Sequence, residues 1–306
     1  MSVVLSVKNI AKSYRSVRAL NGVSFDVPQG SVFGILGPNG SGKTTLLGIV
    51  MDVLRANSGE FLWFDKPGGS PDQRKKIGSL LETPNFYSYL SGTDNLRITQ
   101  AISGRGDHKA IDAVLKKVNL YDRRWAPFKS FSLGMKQRLA IGAALLGDPE
   151  VLVLDEPTNG LDPVGIAEIR KLIVELKEQG HTIIMASHLL DEVEKVCTHA
   201  AILKNGNLIT TGHVEEIMMD EDVVELSASD ISALADLMKR MPPRQTGGGK
   251  EVLVDIKANT VQVVFPKNTA KMDEINRYCF DNGIVLSQLV LRRKKLEARF
   301  FELTNN

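Results

Sequence analysis

The feature that most constrains this chain is Gly37-Pro38-Asn39-Gly40-Ser41-Gly42-Lys43-Thr44, which fits G-x-x-x-x-G-K-[ST] at every position. The run Ser31 to Leu36 before it is apolar and reads as a buried strand, and Lys43 to Leu54 after it reads as a helix. Strand, glycine-rich loop and helix in that order make a phosphate cradle. Glycines let backbone N–H groups converge on phosphate oxygens, and the helix start adds the positive end of its dipole. Lys43 can reach β- and γ-phosphates, and the Thr44 hydroxyl can hold Mg²⁺. A nucleoside triphosphate, of an ATPase or a GTPase, is therefore the expected ligand, with Gly37 through Thr45 as candidate contacts. A chance glycine-rich turn is the bland alternative, and the flanking strand and helix argue against it.

A second feature supplies acids. Val151-Leu152-Val153-Leu154 is a continuous apolar strand that runs into Asp155-Glu156. A carboxylate at the end of a buried strand is costly unless it serves a cation. Asp155 is expected to bind Mg²⁺ through water or via Thr44. Glu156 points elsewhere and can polarise an attacking water, so metal positioning and general-base work fall to neighbours. Two ordinary surface acids are the alternative, weakened by the cradle upstream.

The 306 residues suggest two domains. A net charge of +2 lacks the basic footprint of a nucleic-acid binder, so no nucleic acid is expected. Cys197 and Cys279 have no metal-ligand spacing around them, which leaves a reducing compartment as the default. No basic segment followed by an apolar one opens the chain, so no signal peptide is expected. No stretch reaches the roughly 18 apolar residues of a membrane span. If the chain serves transport, another chain must form the path.

Two strand-like runs, "VLSVKNI" and "VRALNGVSFDVPQG", precede the cradle and end at Gly30. From about Thr83 to Gly147 the pattern is mostly helical. Asp162 can cap the next helix, Pro163 suits its first position and Gly180 can stop it. "TIIMAS" (Thr182 to Ser187) is another buried strand, and Asn205-Gly206 marks a hairpin. Strands alternating with helices argue for a mostly parallel sheet covered on both faces. After about Met219 the character changes. A short strand, a helix over "DISALADLMKR", a flexible "PPRQTGGGK", a strand pair, a helix at Met272 to Phe280, a strand and a last helix "LEARFFEL" suggest a small α+β module.

Phe131-Ser132-Leu133-Gly134-Met135-Lys136-Gln137-Arg138 resembles the signature of the ABC (ATP-binding cassette) family, usually LSGGQ followed by QR. It departs at Phe131, Leu133 and Met135. Ser132 and Gly134 remain, and the resemblance implies that they contact the γ-phosphate. That suits a helix start at about Met135, where a hydroxyl and backbone N–H groups can face phosphate. Tyr14 sits where the family stacks an aromatic on adenine, although it could simply pack. Asn159-Gly160-Leu161-Asp162 resembles the D-loop, which adds Asp162 to the nucleotide contacts. His188 matches the switch histidine that contacts the γ-phosphate. Glu82 stands where the family usually has Gln, and is a candidate Mg²⁺ ligand carrying an extra charge. "ETPNFY", the "SLGMKQR" signature and the C-terminal extension together resemble export cassettes of the bacitracin and lantibiotic-resistance type.

The resemblance implies an α/β fold: a P-loop NTPase cassette with an antiparallel β subdomain and a helical subdomain over 1–219, then an α+β accessory domain at 220–306. It further implies a head-to-tail dimer, each ATP lying between the cradle of one copy and Ser132 and Gly134 of the other. The expected partners are a second cassette, in a homodimer, and a polytopic permease, with the chain peripheral on the inner face of the cell membrane. Phe86, Tyr87 and Tyr89 either pack the helical subdomain or line a groove for that partner. Arg292-Arg293-Lys294-Lys295 reads as a solvated face. A non-transport regulator using the same cassette is one rival. A soluble ATPase acting on ribosomes or DNA is another, disfavoured by the single P-loop and the lack of sustained heptads. A GTPase would want N-K-x-D, which does not occur.

Overall fold

The computed structural model describes residues 2–81, 85–218, 221–241, 251–255, 260–266 and 269–292. Glu82, Arg293 to Lys295, the "PPRQTGGGK" tract and the expected last helix lie outside the described residues. The chain divides into two compact units, Met1–Val214 and Glu215–Asn306. The division falls after Val214, where the sequence reading put the change after Met219.

The first unit opens with β1 (Val3–Tyr14) and β2 (Val17–Pro28), paired antiparallel with Leu5 opposite Val27 and Tyr14 opposite Val17. β3 (Val32–Leu36) leads into α1 (Lys43–Val50). β4 (Ser58–Trp63) pairs with the other side of β1, and β5 (Lys66–Pro67), α2 (Pro71–Lys75) and β6 (Ile77–Leu80) follow. The helical stretch holds α3 (Gly92–Ser103), α4 (His108–Lys117) and α5 (Leu133–Leu145). β7 (Val151–Asp155), α6 (Pro163–Glu178), β8 (Thr182–Ser187), α7 (Leu190–Val196), β9 (His199–Lys204) and β10 (Asn207–His213) complete the unit.

These strands form two sheets, ordered β2-β1-β4-β5 and β10-β9-β3-β8-β7-β6. In the larger sheet β3, β6, β7, β8 and β9 run parallel, and only β10 is antiparallel, through the Asn205-Gly206 turn. Every residue of β3, β7 and β8 is buried, as continuous apolar strands covered on both faces require. Phe33, Ile35, Val151, Val153 and Ile184 pack with Leu46, Leu47 and Ile49 of α1 and with Leu5, Val23 and Val27 of the antiparallel sheet. Each large aliphatic side chain removed from water there contributes about 1.5–3 kcal/mol. One core therefore fixes the cradle's strand, its helix and the neighbouring hairpin together.

Two helix boundaries differ from the sequence reading. α1 stops at Val50 rather than Leu54. Asp52 turns left-handed (φ 59°), and the amides of Val53 and Leu54 donate back to the Gly48 carbonyl at 2.9 Å. That is the chain reversal of a helix C-terminus, with Asp where Gly is usual. Leu54 folds over Gly48, where a Cβ would collide with it. α5 begins at Leu133, not near Met135, because the Ser132 hydroxyl accepts from the Met135 amide at 3.2 Å and so caps the helix. The strands β4 and β6 were not anticipated.

The second unit is β11 (Glu221–Ala228), α9 (Ile231–Arg240), β12 (Glu251–Asp255), β13 (Thr260–Pro266), α10 (Met272–Asp281) and β14 (Leu286–Arg292), preceded by α8 (Val214–Met218) at the division. Its sheet runs β12-β13-β11-β14 with every pairing antiparallel. Val224, Leu226, Val261, Val263 and Phe265 pack against Leu234 and Met238 of α9 and Ile275 of α10.

Candidate nucleotide site

Three adjacent parallel strands end side by side. Leu36 of β3 lies opposite Ser187 of β8, and Asp155 of β7 lies opposite Ala186. The residues that follow them are Gly37, His188 and Glu156, so the C-terminal edge of the sheet gathers three separate chain segments. That edge is where open α/β sheets bind ligands.

The cradle itself is held by close approaches. A Cβ at Gly37 would meet the Ser41 hydroxyl and the Leu203 carbonyl, and one at Gly42 (φ 105°) would strike the Ala19 carbonyl. The Ser41 hydroxyl is buried with no hydrogen-bond partner among the described residues. The β9–β10 turn is clamped onto the loop, with the Gly206 amide donating to the Ser41 carbonyl at 3.1 Å. Gly206 in turn accepts from the Asn21 amide of β2 at 2.8 Å.

Lys43 is 6% exposed. Its ammonium donates to the Gly37 carbonyl at 2.9 Å and the Pro38 carbonyl at 3.4 Å, and lies 3.4 Å from Glu156 Oε1. The other carboxylate oxygen of Glu156 accepts from His188 Nδ1 at 2.8 Å and from the His188 amide at 3.4 Å. Glu156 has φ 46°, a left-handed conformation that costs a non-glycine residue about 1–2 kcal/mol. Its amide still donates to the Ala186 carbonyl at 3.0 Å, so β8, Lys43 and His188 hold it in that conformation. Strain of this kind collects at functional sites. Asp155, one residue earlier, is buried at the strand end.

A groove of about 520 Å³ opens above the cradle, walled by Tyr14, Asn39, Gly40, Gly42, Lys43, Thr44, Thr45 and Glu156. Val17, Arg18, Ala19 and Asn205 complete the wall, and sequence reasoning missed all four. Tyr14 is 45% exposed, with the Lys12 ammonium 5.1 Å from its ring centre. Lys12 also donates to the Arg55 carbonyl at 2.6 Å.

Ser132, Gly134 and Asp162 are not part of that wall. They lie together where α5 and α6 begin: the Asp162 carboxylate accepts from the Gly165 amide at 2.9 Å and caps α6. Leu133 approaches Gly160, and Gly134 approaches Gly165. Ser132 is exposed. Within one copy, the cradle and the signature turn thus form two separate surfaces. Phe86 stacks edge-on against Phe128, with ring centres 5.2 Å apart, while Tyr87 and Tyr89 are exposed. Tyr87 and Phe86 line a second depression of about 330 Å³ with Asn95, Ile98 and Ile102. Both cysteines are buried, and burial pushes both thiol pKa values up, that of Cys279 to about 11. Among the described residues no three His, Cys, Asp or Glu side chains gather as a metal cluster, and no helix is long and apolar enough to cross a membrane.

Comparison with known proteins gives the family of the chain. The family model described as ABC transporter matches residues 20–159. A bacitracin transport ATP-binding protein of Enterococcus faecalis is 31% identical over 99% of this chain and 97% of its own length. A lantibiotic transport ATP-binding protein of Streptococcus pyogenes is 40% identical over 67% of this chain and 89% of its own. Among solved structures, CbiO1 of Clostridium perfringens, part of an ABC transporter complex, superposes with a TM-score of 0.65 at 33% identity, over 71% of this chain and 91% of that one. The chain belongs to the ABC transporter family, as one of its ATP-binding proteins.

Proposed function

We propose that this chain binds and hydrolyses ATP to power a separate polytopic transmembrane permease, as an exporter of drugs, peptides or lipids. It works as a pair of identical cassettes on the inner face of the cell membrane. The observation that carries the reading is the meeting of Lys43, Glu156 and His188 at the ends of three neighbouring strands. The transport names of the bacitracin and lantibiotic relatives support the coupling to a permease.

The residues divide the work. Glycine-lined backbone amides and the start of α1 bind the triphosphate, and Tyr14 gives the adenine a stacking face. The Lys43 ammonium has three protein acceptors. Phosphate oxygens compete for it, which frees one oxygen of Glu156 to take a proton from water. His188 keeps the other oxygen in place and, by its match to the switch histidine, senses the γ-phosphate. The donor set suits Mg²⁺: a hydroxyl on Thr44 and a buried carboxylate on Asp155 are hard oxygen ligands. Mg²⁺, when bound, neutralises charge on the phosphates. Ser132 and Gly134 of the second copy close the site over the γ-phosphate. Closure and reopening form a two-state element biased by ligand, which the permease converts into alternating access.

The test is phosphate release by the purified chain, alone and reconstituted in vesicles with the polytopic protein from the neighbouring reading frame. Coupled release and movement of a peptide antibiotic or lipid supports the reading. Stimulation by RNA or DNA with none by the membrane partner overturns it.

A further inference from the structure

The nucleotide groove contains a second cation to which no role attaches. Arg18 lines it and is exposed, and its guanidinium makes no hydrogen bond or ion pair with any described residue. The other basic groups nearby are engaged: Lys43 by two carbonyls and Glu156, Lys12 by the Arg55 carbonyl and the Tyr14 ring. Glu156, the one carboxylate among the described residues of the wall, is already paired with Lys43 and His188.

Arg18 is also fixed close to the cradle. The Ala19 carbonyl packs so tightly on Gly42 and on Gly206 that neither position has room for a Cβ. Consecutive Cα atoms are about 3.8 Å apart, so the Arg18 side chain starts one residue from the phosphate loop. Its backbone is held in register opposite Ser13 by the β1–β2 pairing. A guanidinium so placed, with its donors unspent, fits a phosphate oxygen through charge-assisted hydrogen bonds.

We propose that Arg18 is a binding residue for the polyphosphate of the nucleotide, a second cation beside Lys43, and that it favours phosphorylated nucleotides over the bare nucleoside. This rests on the nucleotide reading above. The test is titration of the full chain with ADP, which avoids hydrolysis, and with adenosine, followed by NMR to millimolar concentrations. Arg18→Gln is expected to raise the ADP Kd about tenfold, the loss of one charged hydrogen bond, and to leave the adenosine Kd unchanged. Arg18→Lys should recover most of the loss, and Arg18→Glu should exceed it. An ADP Kd within twofold of wild type in Arg18→Gln, or an equal weakening of adenosine, overturns the proposal. Lys43→Ala in the same titration separates the two levels. Unchanged ADP binding there sinks the nucleotide reading, whereas lost binding there beside an unaffected Arg18→Gln sinks this inference alone.

Discussion

At the scale of the residue, the site turns on how one ammonium is shared. Lys43 is held by two carbonyls and Glu156 in a nearly buried position. Lys43→Ala is predicted to abolish ATP binding in a filter assay. Glu156→Gln keeps the size and one acceptor oxygen but loses the base. It should bind ATP normally and release phosphate about 10²–10⁴-fold more slowly, the usual contribution of general-base catalysis. The buried thiols give a second, independent check. Burial disfavours the thiolate, so the folded pKa of Cys279 lies at about 11 against an ordinary 9.0. The stability it contributes is complete below pH 9 and is lost as pH rises toward 11. At pH 8 a disulfide reagent should find neither cysteine in the folded chain and both in urea. The cradle was legible because G-x-x-x-x-G-K-[ST] encodes its own backbone geometry within eight residues. Arg18 and Asn205 were not, since they reach the groove only through the β1–β2 pairing and the clamped β9–β10 turn.

At the scale of the element, the helix starts carry two tasks at once. Ser132 and Asp162 each cap a helix; our proposal also assigns Ser132 to the nucleotide interface, and the sequence resemblance adds Asp162 to the expected nucleotide contacts. Asp162→Ala should lower unfolding free energy by about 1 kcal/mol in urea, the ordinary loss of a cap. Gly42→Ala is expected to do more, because a Cβ there strikes the Ala19 carbonyl at a φ of 105°. It should weaken ADP binding as well as stability, which parallel titration and melting would reveal. Capping residues and Pro163 announced α6 in the sequence, and the structure starts it at Pro163. The end of α1 went unread because it depends on Asp52 adopting a left-handed turn and Leu54 folding onto Gly48, neither of which apolar periodicity records. β4 and β6 were missed for a similar reason: each is defined by its neighbours β1 and β7 rather than by a strong local pattern.

At the scale of the whole molecule, alternation of strand and helix announced a parallel sheet, but not that β3, β8 and β7 would stand side by side and deliver three distant segments to one edge. That order depends on which strands pair across the core, and the sequence holds no local mark of it. The second consequence of the architecture is the separation, within one copy, of the groove from the exposed Ser132 turn. The account holds that ATP joins these surfaces between two copies. The direct measurement is the molar mass of Glu156→Gln by light scattering, without nucleotide and with ATP and Mg²⁺. The account predicts a doubling of mass on adding ATP, abolished when Lys43→Ala is combined with it. A chain that binds ATP fully yet stays at the mass of one copy at every protein concentration would contradict it.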